Sequence, residues 1–139
     1  VARALVDTGA IVALVNRADR HHAAAVRWFS AFRGPLFTTE AVITETAYIL
    51  AASVAHQQAA LAWVQRARAA GVLEIDTVED HLAVARLLTR YASLPCDYAD
   101  ATLIALAERT GISAIATIDQ RDFSVYRIKG RKRFRILID

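Results

Sequence analysis

Cysteine occurs once in this 139-residue chain, at Cys96, which excludes an internal disulfide and any zinc site built from several cysteines. Two prolines and five glycines are too few for a low-complexity linker or a disordered tail. Lysine is confined to Lys129 and Lys132. No apolar run approaches the ~18 residues that span a bilayer, and no secretory pattern precedes the first motif. The expected address is therefore the cytoplasm. What is present is 55% hydrophobic and 22% charged. That balance fits one folded domain, expected over residues 1–139.

The net charge of +3 is unevenly distributed. Residues 121–139 hold seven basic side chains against two acidic ones, while the other 120 residues hold ten against twelve. A slightly acidic body thus carries a basic C-terminal segment, a pattern suited to an anionic partner such as nucleic acid.

Short apolar runs alternate with helical periodicity. Strands are expected at residues 4–6, 36–38, 72–76, 112–118 and 134–138. Helices are expected at 10–15, from an Asp19 cap to about 32, at 40–52, 57–70 and 79–91, and from Asp97 to Gly111. Strands alternating with helices imply one α/β domain with a mainly parallel central sheet of about five strands flanked by helices.

Acidic residues stand in unusual places. Asp7 and Asp119 each follow an apolar strand, where ligands gather in open α/β sheets. Glu45 has Ala41, Val42, Tyr48 and Ile49 as its helical neighbours, an apolar face that leaves a carboxylate without an obvious partner. Asp97 and Asp100 share one face at a helix start, and Asp100 looks down the stripe of Leu103, Ile104 and Ala107. Each has a plain alternative: Asp7 and Asp97 as helix caps, Glu45 at a solvated edge, Asp119 and Asp122 in a turn. Their conjunction is harder to explain that way. Two unit charges ~4 Å apart repel by roughly 4 kcal/mol at an effective dielectric near 20. A cluster of carboxylates is stable only if protonated or if it holds a hard cation, and an all-oxygen donor set suits Mg²⁺ or Mn²⁺. The four histidines read as surface residues, and Cys96, with no histidine nearby in sequence, as structural.

Four segments resemble the motifs of PIN-domain ribonucleases, specifically the VapC toxins of type II toxin–antitoxin systems. They are Leu5-Val6-Asp7-Thr8-Gly9-Ala10, Thr44-Glu45, Leu94-Pro95-Cys96-Asp97-Tyr98-Ala99-Asp100-Ala101 with Ala105-Leu106-Ala107-Glu108-Arg109, and Ala116-Thr117-Ile118-Asp119-Gln120-Arg121-Asp122-Phe123. The resemblance implies a PIN-like fold and Mg²⁺- or Mn²⁺-dependent endonucleolytic cleavage of RNA. It places the catalytic, metal-holding acids at Asp7, Glu45, Asp100 and Asp119. Asp97 and Asp122 are further acids in the same motifs, and Thr8 and Thr117 are placed to orient carboxylates or water. It also implies a VapB-like antitoxin partner, a homodimer and a toxin–antitoxin hetero-oligomer.

In the basic segment, Arg127, Lys129, Arg131, Arg133 and Arg135 fall at every second residue, with Tyr126, Ile128, Phe134 and Ile136 between them. Extended backbone gives one basic and one apolar face, with Lys129-Gly130 available for a turn. Contact with the RNA backbone and a solvated edge strand are both open readings. Two other function classes compete with the nuclease. A phosphatase-type phosphoryl-transfer enzyme of the haloacid-dehalogenase kind needs a second Asp where Gly9 stands. It also needs a lysine that is hard to place here, as does a receiver domain. A non-catalytic PIN-like protein-binding module has no use for the intact acidic set.

Overall fold

The computed structural model describes residues 2–139. Five strands form one parallel sheet: β1 (Ala4–Val6), β2 (Leu36–Thr39), β3 (Leu73–Asp76), β4 (Ala114–Ala116) and a last strand, β7 (Arg135–Ile136). Their spatial order is β3-β2-β1-β4-β7. β5 (Arg127–Ile128) and β6 (Lys132–Arg133) pair separately as an antiparallel hairpin. Seven helices flank the sheet: α1 (Thr8–Val15), α2 (His22–Ala31), α3 (Glu40–Ile49), α4 (Val54–Ala69), α5 (His81–Arg90), α6 (Tyr98–Thr110) and α7 (Gln120–Phe123).

β1 and β4 are buried at every position, as expected of central parallel strands covered on both faces. Because the strands are parallel, their carboxyl ends share one edge. Asp7 and Asp119 follow β1 and β4 there, neighbouring strands at the point where the strand order reverses. α6 runs back from that edge to the start of β4, so its first turn, with Asp97 and Asp100, lies at the same end. α6 is also the most buried helix, contributing Ala101, Leu103, Ile104, Leu106 and Ala107 to the core. The Thr39 and Thr102 hydroxyls hydrogen-bond at 2.8 Å and key α6 onto the end of β2. Gly111 ends α6 in the left-handed region, at φ 78°, which glycine adopts without a Cβ penalty.

Several boundaries differ from the periodicity. α2 starts at His22 and not behind an Asp19 cap; Asp19 Oδ1 instead accepts the His21 N–H and closes a turn. α4 starts three residues early because Ser53 Oγ accepts the His56 N–H. α1 starts at Thr8, directly behind Asp7. Trp28 belongs to the core, and Trp63 is half-buried against Phe29, 5.6 Å between ring centroids. No described helix is long and apolar enough to cross a membrane.

Leu103 is fully buried where α6 meets the sheet. Leu103→Ala is expected to cost about 3 kcal/mol, the usual range for a deleted core leucine, read as a lower urea midpoint with an unchanged slope.

Candidate active site

Asp7, Glu45, Asp97, Asp100 and Asp119 each accept at least one hydrogen bond at a carboxylate oxygen. Asp7 Oδ1 accepts the Thr8 N–H at 2.7 Å, and its Oδ2 accepts the Thr117 hydroxyl at 2.8 Å. The same Thr117 oxygen accepts the Asp119 N–H at 2.9 Å, so one threonine ties the ends of β1 and β4 together. The Thr8 hydroxyl donates to Glu45 Oε1 at 2.5 Å and joins α1 to α3. Asp97 caps α6 by accepting the Asp100 N–H at 2.9 Å, and Asp119 caps α7 by accepting the Asp122 N–H at 3.0 Å. Asp100 Oδ2 accepts the Tyr126 hydroxyl at 3.1 Å. A carboxylate has about four lone-pair sites, so one donor on one oxygen leaves capacity facing the cleft. Capping and ligand binding are therefore compatible roles for the same aspartate.

Asp7 and Asp100 are only 6% and 8% exposed, and no basic side chain pairs with either. The one ion pair among the described residues joins Arg109 to Asp76. Burial, then the nearby Asp119 and Asp97 charges, push the Asp7 carboxyl up to about 6 against the lowering effect of Thr117 and Thr8. Burial, followed by Asp7 and Asp97, raises Asp100 to about 8. Burial and the adjoining Asp97 raise Glu45 to about 7. Burial, with Asp119 nearby, raises Asp122 as well. The carboxylates thus share one field, although among the described residues no group of three or more His, Cys, Asp or Glu side chains is arranged to hold a metal ion. Their all-oxygen chemistry and lack of cationic partners fit a hard divalent cation.

The sequence-derived acids separate by position. Asp7, Glu45, Asp97, Asp100 and Asp119 influence one another across the cleft, whereas Asp122 interacts chiefly with Asp119. The apolar neighbours of Glu45 do not bury it: Tyr48 is 80% exposed and Ile49 is also on the surface, leaving Glu45 half-buried at the cleft wall. Burial pushes the Cys96 thiol up to about 11, so it is protonated at neutral pH and a poor nucleophile. Gly9 has no room for a side chain. A Cβ there would lie 2.6 Å from Ile118 Cγ1, beside Asp119, so the second aspartate of a phosphatase-type site does not fit. Tyr126 escaped the sequence reading, which assigned it to the apolar face of the basic segment; only its hydroxyl, at a fully buried position, signalled a polar partner.

Comparison with known proteins agrees with this geometry. Residues 4–129 match the PIN domain family model. The chain is 31% identical over 135 residues to ribonuclease VapC26 of Mycobacterium tuberculosis, covering 96% of this chain and 98% of that protein. This chain is a PIN domain of the VapC ribonuclease family. Its fold is similar to the crystal structure of Mycobacterium tuberculosis VapC20, described as a sarcin–ricin loop cleaving toxin. That match has a TM-score of 0.73 and 24% identity, covering 88% of this chain and 95% of that one. In this VapC protein, β7 lies beyond the family match yet completes the sheet beside β4.

The raised carboxyls set a pH dependence. Asp100 has an ordinary value of 3.8 and a folded value of about 8, so the folded chain binds this proton more tightly than the unfolded chain. Its contribution to stability is present below pH 4 and is lost as pH rises through 8. Asp100→Asn removes that charge and keeps an acceptor for Tyr126. In EDTA, its thermal midpoint is expected to exceed that of the wild type at pH 8, with the gap closing toward pH 4.

Proposed function

We propose that this VapC-family protein is the toxin of a VapBC-type toxin–antitoxin pair and acts in the cytoplasm as an endoribonuclease. The reading is carried by one observation: acids of four motifs, Asp7 and Asp100 buried and Glu45 and Asp119 partly so, gather near the carboxyl ends of β1 and β4 with no ion-pair partner among the described residues. Asp7, Asp100, Asp119 and Glu45 would hold Mg²⁺ or Mn²⁺. A bound divalent cation would supply Lewis-acid charge, making water easier to deprotonate and offsetting charge on the phosphodiester.

The chain's own groups supply the rest. Thr117 fixes Asp7 and Asp119 relative to each other, and Thr8 fixes Glu45 through Oε1. Glu45, held by Thr8 through Oε1 and bordering a cavity with Asp97, would bind the cation directly or through water, or orient the attacking water. Water attacks phosphorus, the bond to the leaving oxygen breaks, and no protein nucleophile is needed. Asp97 supports the site by capping α6, and Asp122 by donating its N–H to Asp119. The lysine of a phosphatase or receiver site is absent from the cleft: Lys129 sits beside Glu108, eight residues and ~12 Å along α6 from Asp100.

RNA contact is assigned to the hairpin and the strand after it, where Lys129, Arg131, Arg133 and Arg135 are exposed together with Lys132. Arg127 is partly engaged, its Nη1 donating to the Ser124, Val125 and Tyr126 carbonyls. The partners proposed with this reading are the RNA substrate, a VapB-like antitoxin and a second copy of the chain.

RNA cleavage by the purified protein is expected to stop in EDTA and return with Mg²⁺ or Mn²⁺. Asp7→Asn and Asp100→Asn are expected to fold and to lose about a hundredfold or more of the activity. Wild-type rates in either variant would refute the assignment. Replacing Arg131, Arg133 and Arg135 together with Gln should weaken RNA binding and make its logarithmic salt slope shallower by about 2, as expected for three lost single-strand phosphate contacts. An unchanged slope would leave the segment a purely structural role.

A further inference from the structure

Tyr126 lies just before β5, outside all four acidic motifs, yet its side chain reaches the site. It is fully buried, and its hydroxyl donates to Asp100 Oδ2 at 3.1 Å. The ring has little freedom to move. Tyr91 and Phe123 pack edge-on against it at centroid distances of 4.9 and 5.1 Å, and Phe134 packs edge-on against Phe123 at 5.4 Å. Backbone bonds hold the same segment: the Tyr126 N–H donates to the Asp122 carbonyl at 3.1 Å, and the Arg127 N–H donates to the Tyr91 hydroxyl at 2.9 Å.

Asp100 has no basic neighbour to fix its carboxylate, and its own N–H is used by Asp97. The Tyr126 hydroxyl is the side-chain donor it has. We propose that Tyr126 is a positioning residue of this nuclease. By occupying Oδ2, it sets the rotation of the Asp100 carboxylate and leaves Oδ1 free for a cation that Asp7, Asp100, Asp119 and Glu45 would hold. Partners that orient a ligating carboxylate from behind are generally worth about 10–100-fold in metal affinity or activity. The aromatic cluster that roots the hairpin is then part of the site's support. This inference rests on the metal-dependent nuclease reading.

The test is Tyr126→Phe, which keeps the ring and removes the hydroxyl, beside Tyr91→Phe as a control. Tyr91 belongs to the same cluster but bonds the Arg127 backbone and no carboxylate. Mn²⁺ binding is measured by calorimetry on the full chain without RNA, and kcat and KM are measured with an RNA substrate. For Tyr126→Phe, Mn²⁺ affinity is expected to fall about tenfold. At fixed limiting Mn²⁺ kcat should fall while KM for RNA stays the same, and excess Mn²⁺ should restore kcat. Tyr91→Phe should leave Mn²⁺ affinity at the wild-type value. Wild-type Mn²⁺ affinity in Tyr126→Phe, or an equal loss in both variants, would overturn the positioning role. A wild-type protein that neither binds Mn²⁺ nor cuts RNA would overturn the nuclease reading, and this inference with it.

Discussion

Like-charge repulsion among carboxylates is the constraint around which this molecule is built. Asp7, Glu45, Asp97, Asp100 and Asp119 are brought to one edge of the sheet, and among the described residues none of them forms an ion pair with a lysine or arginine. Burial first, and the neighbouring charges after it, hold the protons of Asp7, Glu45 and Asp100 above the ordinary carboxylate range. Such an arrangement persists only if the rest of the fold holds it. Here the fully buried strands β1 and β4 and the buried face of α6 form the rigid support. The same repulsion that costs stability in the metal-free chain would, on the proposed reading, favour a hard cation in the cleft.

The fold manages the acids with neutral donors. Thr8, Thr117 and Tyr126 hydroxyls and the N–H groups of Thr8, Asp100 and Asp122 each bind a carboxylate oxygen without contributing positive charge. A basic side chain in any of these places would satisfy the carboxylate more strongly, but it would compete with a cation for the same charge. Neutral donors fix orientation and leave the charge available. For Asp7 and Asp119 a helix-capping role leaves carboxylate oxygens free for a further partner. A helix start gives each aspartate a defined rotamer, and a defined rotamer is what a multi-residue oxygen site requires.

Apart from Arg121, whose charge acts on Asp122, the basic side chains of the C-terminal segment lie on the hairpin and the strand after it. The basic hairpin follows α6 away from the acidic edge, and its turn is secured where the Lys129 N–H meets Glu108. Lys129, Arg131, Lys132, Arg133 and Arg135 are exposed there and form no ion pair among the described residues. Arg127 pairs across the hairpin with Arg133, but its guanidinium folds back onto backbone carbonyls, which lessens their mutual repulsion.

Much of this was legible in the chain. Apolar strands alternating with helical stripes indicated the parallel α/β sheet, since burial on both faces demands such runs. Asp7, Glu45, Asp97, Asp100, Asp119 and Asp122 stood out against apolar surroundings. The alternation from Tyr126 to Ile136 indicated extended backbone, and Lys129-Gly130 the turn. Local chemistry determined these features, so a linear reading could find them. Helix starts at Thr8 and Val54 were missed because capping depends on whether a particular hydroxyl or carboxylate meets a particular N–H. What the tertiary structure alone decided was which groups share a volume. Thr117 bridging Asp7 and Asp119, Thr8 reaching Glu45, Ile118 filling the space above Gly9 and Tyr126 reaching back to Asp100 are contacts between distant segments or across a turn. Periodicity reports which face a residue occupies, not what stands opposite it. The sequence by itself supplied the acids and the strands that present them; packing of β1 against β4 and of α6 across their ends decided that those acids share one field.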